Sequence, residues 1–149
     1  MKKIALSDLL SIEEYNAQRP AIRQSMMDHK KTRRLPLGDN ASIHFEDYMV
    51  MRYQVLELIR AERIRSEEDL EGELEAYNPL IPDGKNLKAT FMLEFPVEAE
   101  RRERLGQLIG IEEQLSIQIE GFEPVYPIAN EDLERSTDEK TSSVHFLLF

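Results

Sequence analysis

The chain has 149 residues, a formal net charge of −10 and no cysteine. This length can bury a core without metals or disulfides, so we expect residues 1–149 to form a single globular domain. The lack of cysteine excludes disulfides, thiolate metal sites and a cysteine nucleophile, so redox chemistry would need a bound cofactor or a partner. Duplex nucleic-acid binders usually carry a basic surface, so the acidic balance argues against that class.

The N-terminal residues and the longest apolar runs bear on the cellular compartment. Asp8, Glu13 and Glu14 interrupt the first apolar residues, so the pattern of a secretory signal is missing there. No run of apolar residues approaches the length of a bilayer span. We therefore expect no membrane contact and a cytoplasmic location.

Charge is unevenly distributed along the chain. Residues 1–38 carry eight Lys or Arg against four Asp or Glu, and the remainder is strongly acidic. The basic part peaks at Lys30, Lys31, Arg33 and Arg34. Such a cluster can dock an acidic partner or a phosphate, but cations also stabilise the C-terminal end of a helix.

Capping signals predict the first helix. Ser11 and Glu14 fit a capping box, in which a hydroxyl and a carboxylate satisfy the free amides of the first turn. The helix should reach about Arg33, with a break near Arg19 because Pro20 cannot continue the backbone hydrogen bonds.

The next helical pattern, Met49–Ile64, has apolar residues on more than one side. Such a helix is either buried on two sides, or buried on one side and exposed as an apolar surface on the other. Ser66 then predicts the N-cap of a helix that ends before Pro79. Val97–Ile109 predicts a charged amphipathic helix whose inward residues are Val97, Leu105, Leu108 and Ile109.

Alternating apolar residues and turn signals predict the strands. The predicted strands are Arg34–Leu37, Ala41–Phe45, Leu87–Phe95, Leu115–Ile119, an edge strand at Pro124–Ile128 and a terminal strand at Ser143–Phe149. The terminal strand is apolar to its last residue, so it should insert into the sheet or pack against another copy. Glu131–Arg135 should be a short helix at most. Together these elements predict an α+β fold with an antiparallel or mixed sheet of about five or six strands and helices mainly on one face.

Polar residues concentrate at the end of the Met49–Ile64 helix, on the proline-rich turn that follows Tyr77, and just before the terminal strand. The set comprises Arg60, Glu62, Arg63, Tyr77, Asn78, Asp83, Lys85, Asn86, Arg135, Asp138 and Lys140. If these places converge, they form a charged pocket that can bind an anion or a partner carboxylate. We take Arg60, Glu62, Arg63, Tyr77, Asn78, Asp83, Arg135 and Lys140 as its ligand-binding residues. The alternative is a network of ion pairs and hydrogen bonds that only anchors loops.

The three histidines, His29, His44 and His145, lack the helical spacing typical of zinc or di-iron sites. A metal site assembled from distant segments, such as His145 with Glu57 or Glu62, remains an alternative to a hydrogen-bonded or solvent-facing strand histidine. Glycine-rich phosphate loops and a nucleophile elbow are missing from the sequence. The residues therefore indicate neither a catalytic group nor a particular cofactor.

Three segments, Arg60–Ile64, Ala76–Thr90 and Glu131–Leu147, carry a family resemblance. The chain resembles, over nearly all its length, a bacterial family catalogued only as a domain of unknown function. Genes of that family often lie beside those for a rubrerythrin-like protein and for an iron–sulfur protein related to heterodisulfide reductase. The resemblance thus implies an accessory role in a redox or peroxide-handling system, and it transfers no site residues.

Two functions follow as hypotheses. The first is a non-enzymatic partner-binding protein, with a homodimer as its expected assembly, which contacts a redox partner through the exposed apolar side of a helix or through the terminal strand. The second is an enzyme or a small-ligand or metal-binding protein that uses a polar pocket around Arg60, Glu62, Asn78, Lys140 and His145.

Overall fold

The computed structural model describes residues 2–129 and 140–149. The helices are α1 (Ile12–Lys31), α2 (Tyr48–Glu62), α3 (Glu67–Tyr77) and α4 (Glu98–Gln107), and the strands are β1 (Arg34–Pro36), β2 (Ala41–Phe45), β3 (Lys88–Leu93), β4 (Ile128–Ala129) and β5 (Val144–Leu148). Short 3-10 helices lie at Leu6–Asp8, Asn78–Leu80 and Ile111–Gln114. The predicted α+β fold with an antiparallel sheet of about five strands is confirmed.

The chain forms two compact units that alternate along the sequence. The helical unit contains the chain up to Arg33 and Glu46–Lys85, and therefore α1, α2 and α3. The sheet unit contains Arg34–Phe45 and the chain from Asn86 onward, with all five strands and α4. That residues 1–149 act as one domain stays a prediction.

Helix α1 begins as predicted, because the Ser11 hydroxyl accepts a hydrogen bond from the Glu14 amide and the Glu14 carboxylate accepts one from the Ser11 amide. The predicted break near Arg19 is wrong, since α1 continues through Pro20 to Lys31. Proline lacks the N–H that would reach the Asn16 carbonyl. Contacts on both sides of Pro20 hold the helix together: Tyr15 bonds to Glu57 of α2, and Met26 is buried in the core of this unit.

Helix α2 is the centre of the helical unit. Its Asp47 N-cap accepts a hydrogen bond from the Val50 amide at 2.9 Å, and the helix packs against both α1 and α3. Its buried residues are Val50, Met51, Val55, Leu56 and Ile59. Of the two alternatives, burial on two sides is correct, and Met49 is the one large apolar side chain of α2 that is exposed.

The sheet is antiparallel throughout, with strand order β1-β2-β3-β5-β4. Phe91 at its centre pairs with Ile43 of β2 and with His145 of β5. Ile43, Phe91 and Leu147 form the core of this unit together with Leu105 of α4. The end of β5 pairs with β3 on one side and β4 on the other, so the expected insertion of the terminal strand into the sheet is confirmed.

Several element predictions are wrong. Within the described residues, Leu115–Ile119 is not a sheet strand: it makes a single bridge, between Ile117 and Val125. The edge strand that follows is reduced to β4, and Val97 and Ile109 are exposed rather than inward. An alternating segment becomes a sheet strand only if another strand can pair with it. Among the described residues, this segment pairs only with Val125, in the second arm of the same hairpin. The helix expected at Glu131–Arg135 lies outside the described residues.

Candidate functional site

The predicted polar residues fall in both units. Arg60, Glu62 and Arg63 lie at the C-terminal end of α2, and Tyr77, Asn78 and Asp83 lie at the end of α3 and in the turn after it, all in the helical unit. Lys140 and His145 belong to the sheet unit. Arg135 and Asp138 lie outside the described residues. A ligand-binding role for this set stays a prediction.

Asn78 has a structural role that the sequence did not reveal. Its amide oxygen accepts a hydrogen bond from the Ile4 N–H at 2.8 Å, and its amide nitrogen donates to the Ile4 carbonyl at 3.0 Å. The side chain therefore pairs with the backbone as a neighbouring strand would. Asn78 holds the N-terminal segment, with buried Ile4, against the rest of the helical unit.

The other predicted residues lie in separate local environments. Asp83 accepts a hydrogen bond from the Lys85 amide at 2.8 Å, which closes the turn. Arg63 ends α2 in the left-handed conformation with φ of 57°. Burial raises the pKa of Tyr77, and the nearby carboxylates of Glu73 and Glu62 raise it further. Lys140 is exposed.

The strongest polar network of the helical unit centres on Glu57. Arg19 donates to both carboxylate oxygens of Glu57, at 2.7 Å and 2.9 Å, and the Tyr15 hydroxyl donates to one of them at 2.6 Å. Arg60, three residues further along α2, lies 3.9 Å from the same carboxylate and forms a loose ion pair with it. The Arg60 Nε atom is buried and has no hydrogen-bond partner among the residues that the structure describes.

The pKa values of Glu57 and Tyr15 in this network differ from their ordinary values. The hydrogen bonds from Arg19, assisted by that from Tyr15, hold the pKa of Glu57 at about 2, although partial burial works in the opposite direction. Burial raises the pKa of the Tyr15 hydroxyl, and the hydrogen bond to Glu57 raises it further. Both shifts stabilise one fixed protonation state, as in a structural network.

His145 is buried in the sheet unit and hydrogen-bonded. Its Nε2 atom lies 2.9 Å from the Ser142 carbonyl, which only accepts, so this nitrogen donates. Thr141 Oγ1 is 3.2 Å from the same nitrogen. Nδ1 lies 4.0 Å from Glu112, beyond hydrogen-bond distance. Of the alternatives for this histidine, the hydrogen-bonded strand residue is the one observed.

Metal ligands are not clustered in the part of the chain that the structure describes. Within residues 2–129 and 140–149, no three His, Asp or Glu side chains are arranged to hold a metal ion.

The most distinctive surface is the segment Leu115–Ile128, which we call the apolar hairpin. Ile117 and Val125 exchange two backbone hydrogen bonds, at 2.9 Å and 2.8 Å, and Gly121 turns the chain with φ of 85°. Its exposed large apolar residues are Ile119, Phe122, Val125, Tyr126 and Ile128. Phe122 and Ile128 leave 70% and 69% of their surfaces exposed. Exposed apolar residues are common singly, but a contiguous group marks an interaction surface.

The charge around the hairpin is of one sign. From Ile111 to Ala129 the sequence holds four glutamates and no lysine, arginine or histidine. Two of these glutamates, Glu120 and Glu123, lie in the exposed turn of the hairpin. The hairpin thus presents an apolar surface with an acidic border.

The chain is similar to proteins whose function is unknown. A family described as a protein of unknown function, DUF3501, matches residues 3–149. A crystal structure described as a novel protein of unknown function from Burkholderia pseudomallei K96243 is similar, with 42% sequence identity and a TM-score of 0.92. The similarity covers 99% of this chain and 77% of that one. No curated protein matches the chain.

The described residues include four α-helices, of 10 to 20 residues each. None of them is both long enough and apolar enough to cross a membrane.

Proposed function

The chain belongs to the DUF3501 family of proteins of unknown function, and from this premise we propose that it is a partner-binding protein whose docking surface is the apolar hairpin. The exposure of five large apolar side chains between Ile119 and Ile128 supports this proposal. Leaving so much apolar surface in water is unfavourable, and a partner that covers it gains roughly 25 cal/mol per Å². The docking surface therefore differs from the helix side and terminal strand expected from the sequence.

The charge of the hairpin selects the partner. An acidic border is complementary to lysine and arginine, so the partner is a protein with an apolar patch bordered by basic residues. Two hairpins facing each other would bring Glu120 and Glu123 of both copies together, and like charges at an interface are unfavourable. A different protein is thus a better occupant than a second copy, and the homodimer expected from the sequence is the competing arrangement.

The family resemblance supplies the class of partner. It implies that the partner belongs to a redox or peroxide-handling system. Because this chain has no cysteine, its part in such a system would be to bind and orient the partner rather than to carry a thiol. This assignment rests on the resemblance alone, and the hairpin proposal does not depend on it.

Site-specific photo-crosslinking in cells of the source organism tests the docking surface. A benzoylphenylalanine residue replaces Phe122 in the hairpin or, as the control, Met27, which is 55% exposed on α1. We expect the Phe122 position to crosslink one protein that the Met27 position does not, and mass spectrometry to identify it. Equal products from both positions, or a second copy of this chain as the only product, would contradict the proposal.

Binding of the purified partner then tests the interaction itself. Ile119→Ser should weaken the Kd about tenfold or more, because Ile119 is one of the large apolar side chains that the hairpin exposes and that a partner would cover. Added salt should slow association, since the hairpin is acidic. Met27→Ser should leave the Kd unchanged. A partner without a redox centre would overturn the redox assignment and leave the hairpin proposal standing.

A further inference from the structure

We propose that the helical unit has a second, small-molecule site: an open cleft of about 710 Å³ that binds a straight-chain monocarboxylate, with Arg52 holding the carboxylate. The cleft lies between the N-terminal segment, α1 and α2. Its volume is in the range of about 300–1,000 Å³ that small-molecule sites occupy. None of its lining residues belongs to the apolar hairpin, so this site is independent of the proposed docking surface.

Aliphatic side chains from three segments line part of the cleft. Leu9 comes from the N-terminal segment, Ile22 and Met26 come from α1, and Met49 and Leu56 come from α2. Methionine side chains are flexible and polarizable, so they can adjust to the different conformations of a bound alkyl chain better than branched side chains can. These aliphatic side chains can pack against an alkyl chain, and the lining also includes the hydroxyl groups of Ser7, Ser25, Tyr48 and Tyr53.

The charged groups of the cleft leave one cation available. Lys2 lies 2.8 Å from the Asp8 carboxylate and stacks over the Tyr48 ring at 5.0 Å. The hydrogen bond from Lys2, with that from the Ala5 amide, lowers the pKa of Asp8 to about 2, so this pair stays ionised and its charges cancel. Arg52 has no such partner: its Nε donates to the main-chain carbonyl of Asp8 at 2.7 Å, a neutral acceptor.

The Asp8 carbonyl also positions the Arg52 guanidinium. With Nε used, the two Nη groups are bonded to nothing within residues 2–129 and 140–149. Arginine binds carboxylates through two parallel N–H bonds, and a guanidinium already held in place loses less entropy on binding. Arg52 is half-buried beside the aliphatic walls, where such a bond is less screened by solvent than at the open surface.

The site favours one carboxylate over a phosphate. A phosphate at neutral pH carries up to two charges and usually takes several donors, including backbone amides at a helix N-terminus. Among the described residues that line the cleft, Arg52 is the single cation without an ionic partner, and the Asp8 carboxylate is close by. A singly charged headgroup on an alkyl chain therefore matches both the charge and the lining.

Methyl NMR and calorimetry with octanoate as the probe test this site. In methionine-methyl-labelled protein, octanoate should shift Met26 and Met49, which line the cleft, and leave Met92 of β3 unchanged. Calorimetry should show saturable binding, and octanol, which lacks the charge, should bind at least about tenfold more weakly. Absence of saturable binding, or shifts that avoid Met26 and Met49, would overturn the proposal.

Three variants assign the headgroup contact. Arg52→Gln should weaken octanoate at least about tenfold and leave octanol unchanged, whereas Arg23→Gln, an exposed α1 arginine outside the cleft, should change neither. Met49→Glu places a carboxylate at an exposed position of the wall and should also abolish octanoate binding. It provides the same test if Arg52→Gln fails to fold. Equal octanoate binding by wild type and Met49→Glu would refute the site, as would a preference for an acidic amphipathic peptide over octanoate.

Discussion

The carboxylate of Glu57 accepts three hydrogen bonds from two α1 side chains, Arg19 and Tyr15. Tyr15 leaves 1% of its surface exposed, so its hydroxyl has little access to water and depends on this bond. Arg60 lies three residues from Glu57 on α2 and pairs with it loosely, but the main partners of Glu57 come from a different helix. These three hydrogen bonds, which we call the Glu57 clamp, join the N-terminal half of α1 to α2. We expect them to make the free energy of unfolding depend on pH in the acid range.

Acid should weaken this clamp in a defined pH range. The pKa of Glu57 is about 2 in the folded protein and ordinarily 4.5, so the folded state favours the ionised form. Its stabilisation is present above about pH 4.5 and is lost as the pH falls toward about 2. Glu57→Gln should lower the free energy of unfolding at neutral pH by roughly 2 kcal/mol after allowance for partial exposure, and its difference from wild type should shrink across this range.

Urea denaturation at a series of pH values measures both effects. Glu75→Gln is the matched control, because Glu75 is exposed on α3. It should stay within about 0.5 kcal/mol of wild type throughout. A constant difference between Glu57→Gln and wild type from neutral to acid pH would show that the charge of Glu57 does not matter and that only its shape does.

Helix α1 shows how an element can overrule a local signal. Pro20 in the interior of a helix removes one backbone hydrogen bond and crowds the carbonyl of Asn16, which predicted a break. The helix continues because Tyr15 and Met26 anchor both halves in the helical unit, where contacts made by many side chains outweigh one lost bond. Local capping hydrogen bonds determine where α1 begins, whereas tertiary contacts keep α1 continuous through Pro20.

If this explanation is correct, Pro20→Ala should stabilise the protein. The variant restores the donor to the Asn16 carbonyl without removing a buried contact, since Pro20 is exposed, and the expected gain is about 1–3 kcal/mol. The midpoint of urea unfolding measures it, with Gln18→Ala at another exposed position of α1 as a control that should change little. A loss of stability would instead mean that the packing of Met26 needs the helix path that proline imposes.

At the scale of the whole chain, the last residues complete the sheet. Leu147 pairs with Ala89 of β3 and with Ala129 of β4, and Phe149 exchanges backbone hydrogen bonds with Leu87. The apolar C-terminus predicted either this insertion or contact with another copy. In the sheet, the backbone groups of the tail form hydrogen bonds and its apolar side chains are covered. Contact with a second copy is therefore not required to explain the apolar tail.

Deleting Phe146–Phe149 should therefore unfold the sheet unit rather than only change the oligomeric state. Amide hydrogen exchange of Lys88–Leu93 measures the loss, because β3 would have β2 as its sole remaining full-length partner. Val97→Ser, at an exposed position of the same unit, should keep the protection of β3. A truncated protein with normal protection and an altered oligomeric state would support the tail as a dimer contact.

The sequence alone determined features that depend on near neighbours. The Ser11 and Ser66 caps, the alternation in β3 and the apolar terminal strand each act within a few residues, where hydrogen bonding and side-chain periodicity are set by local geometry. The α+β class follows from the sum of these signals.

Only the tertiary structure decided which residues meet. Asn78 and Ile4 are 74 positions apart, and Tyr15 and Glu57 are 42 apart. The alternation at Leu115–Ile119 predicted a sheet strand, but pairing within its own hairpin left Ile119 and Phe122 exposed. Arg52 carries no motif, and it becomes a candidate because Asp8 gives it a neutral carbonyl instead of a carboxylate. Such contacts depend on how the chain folds back on itself, and neither composition nor periodicity contains that information.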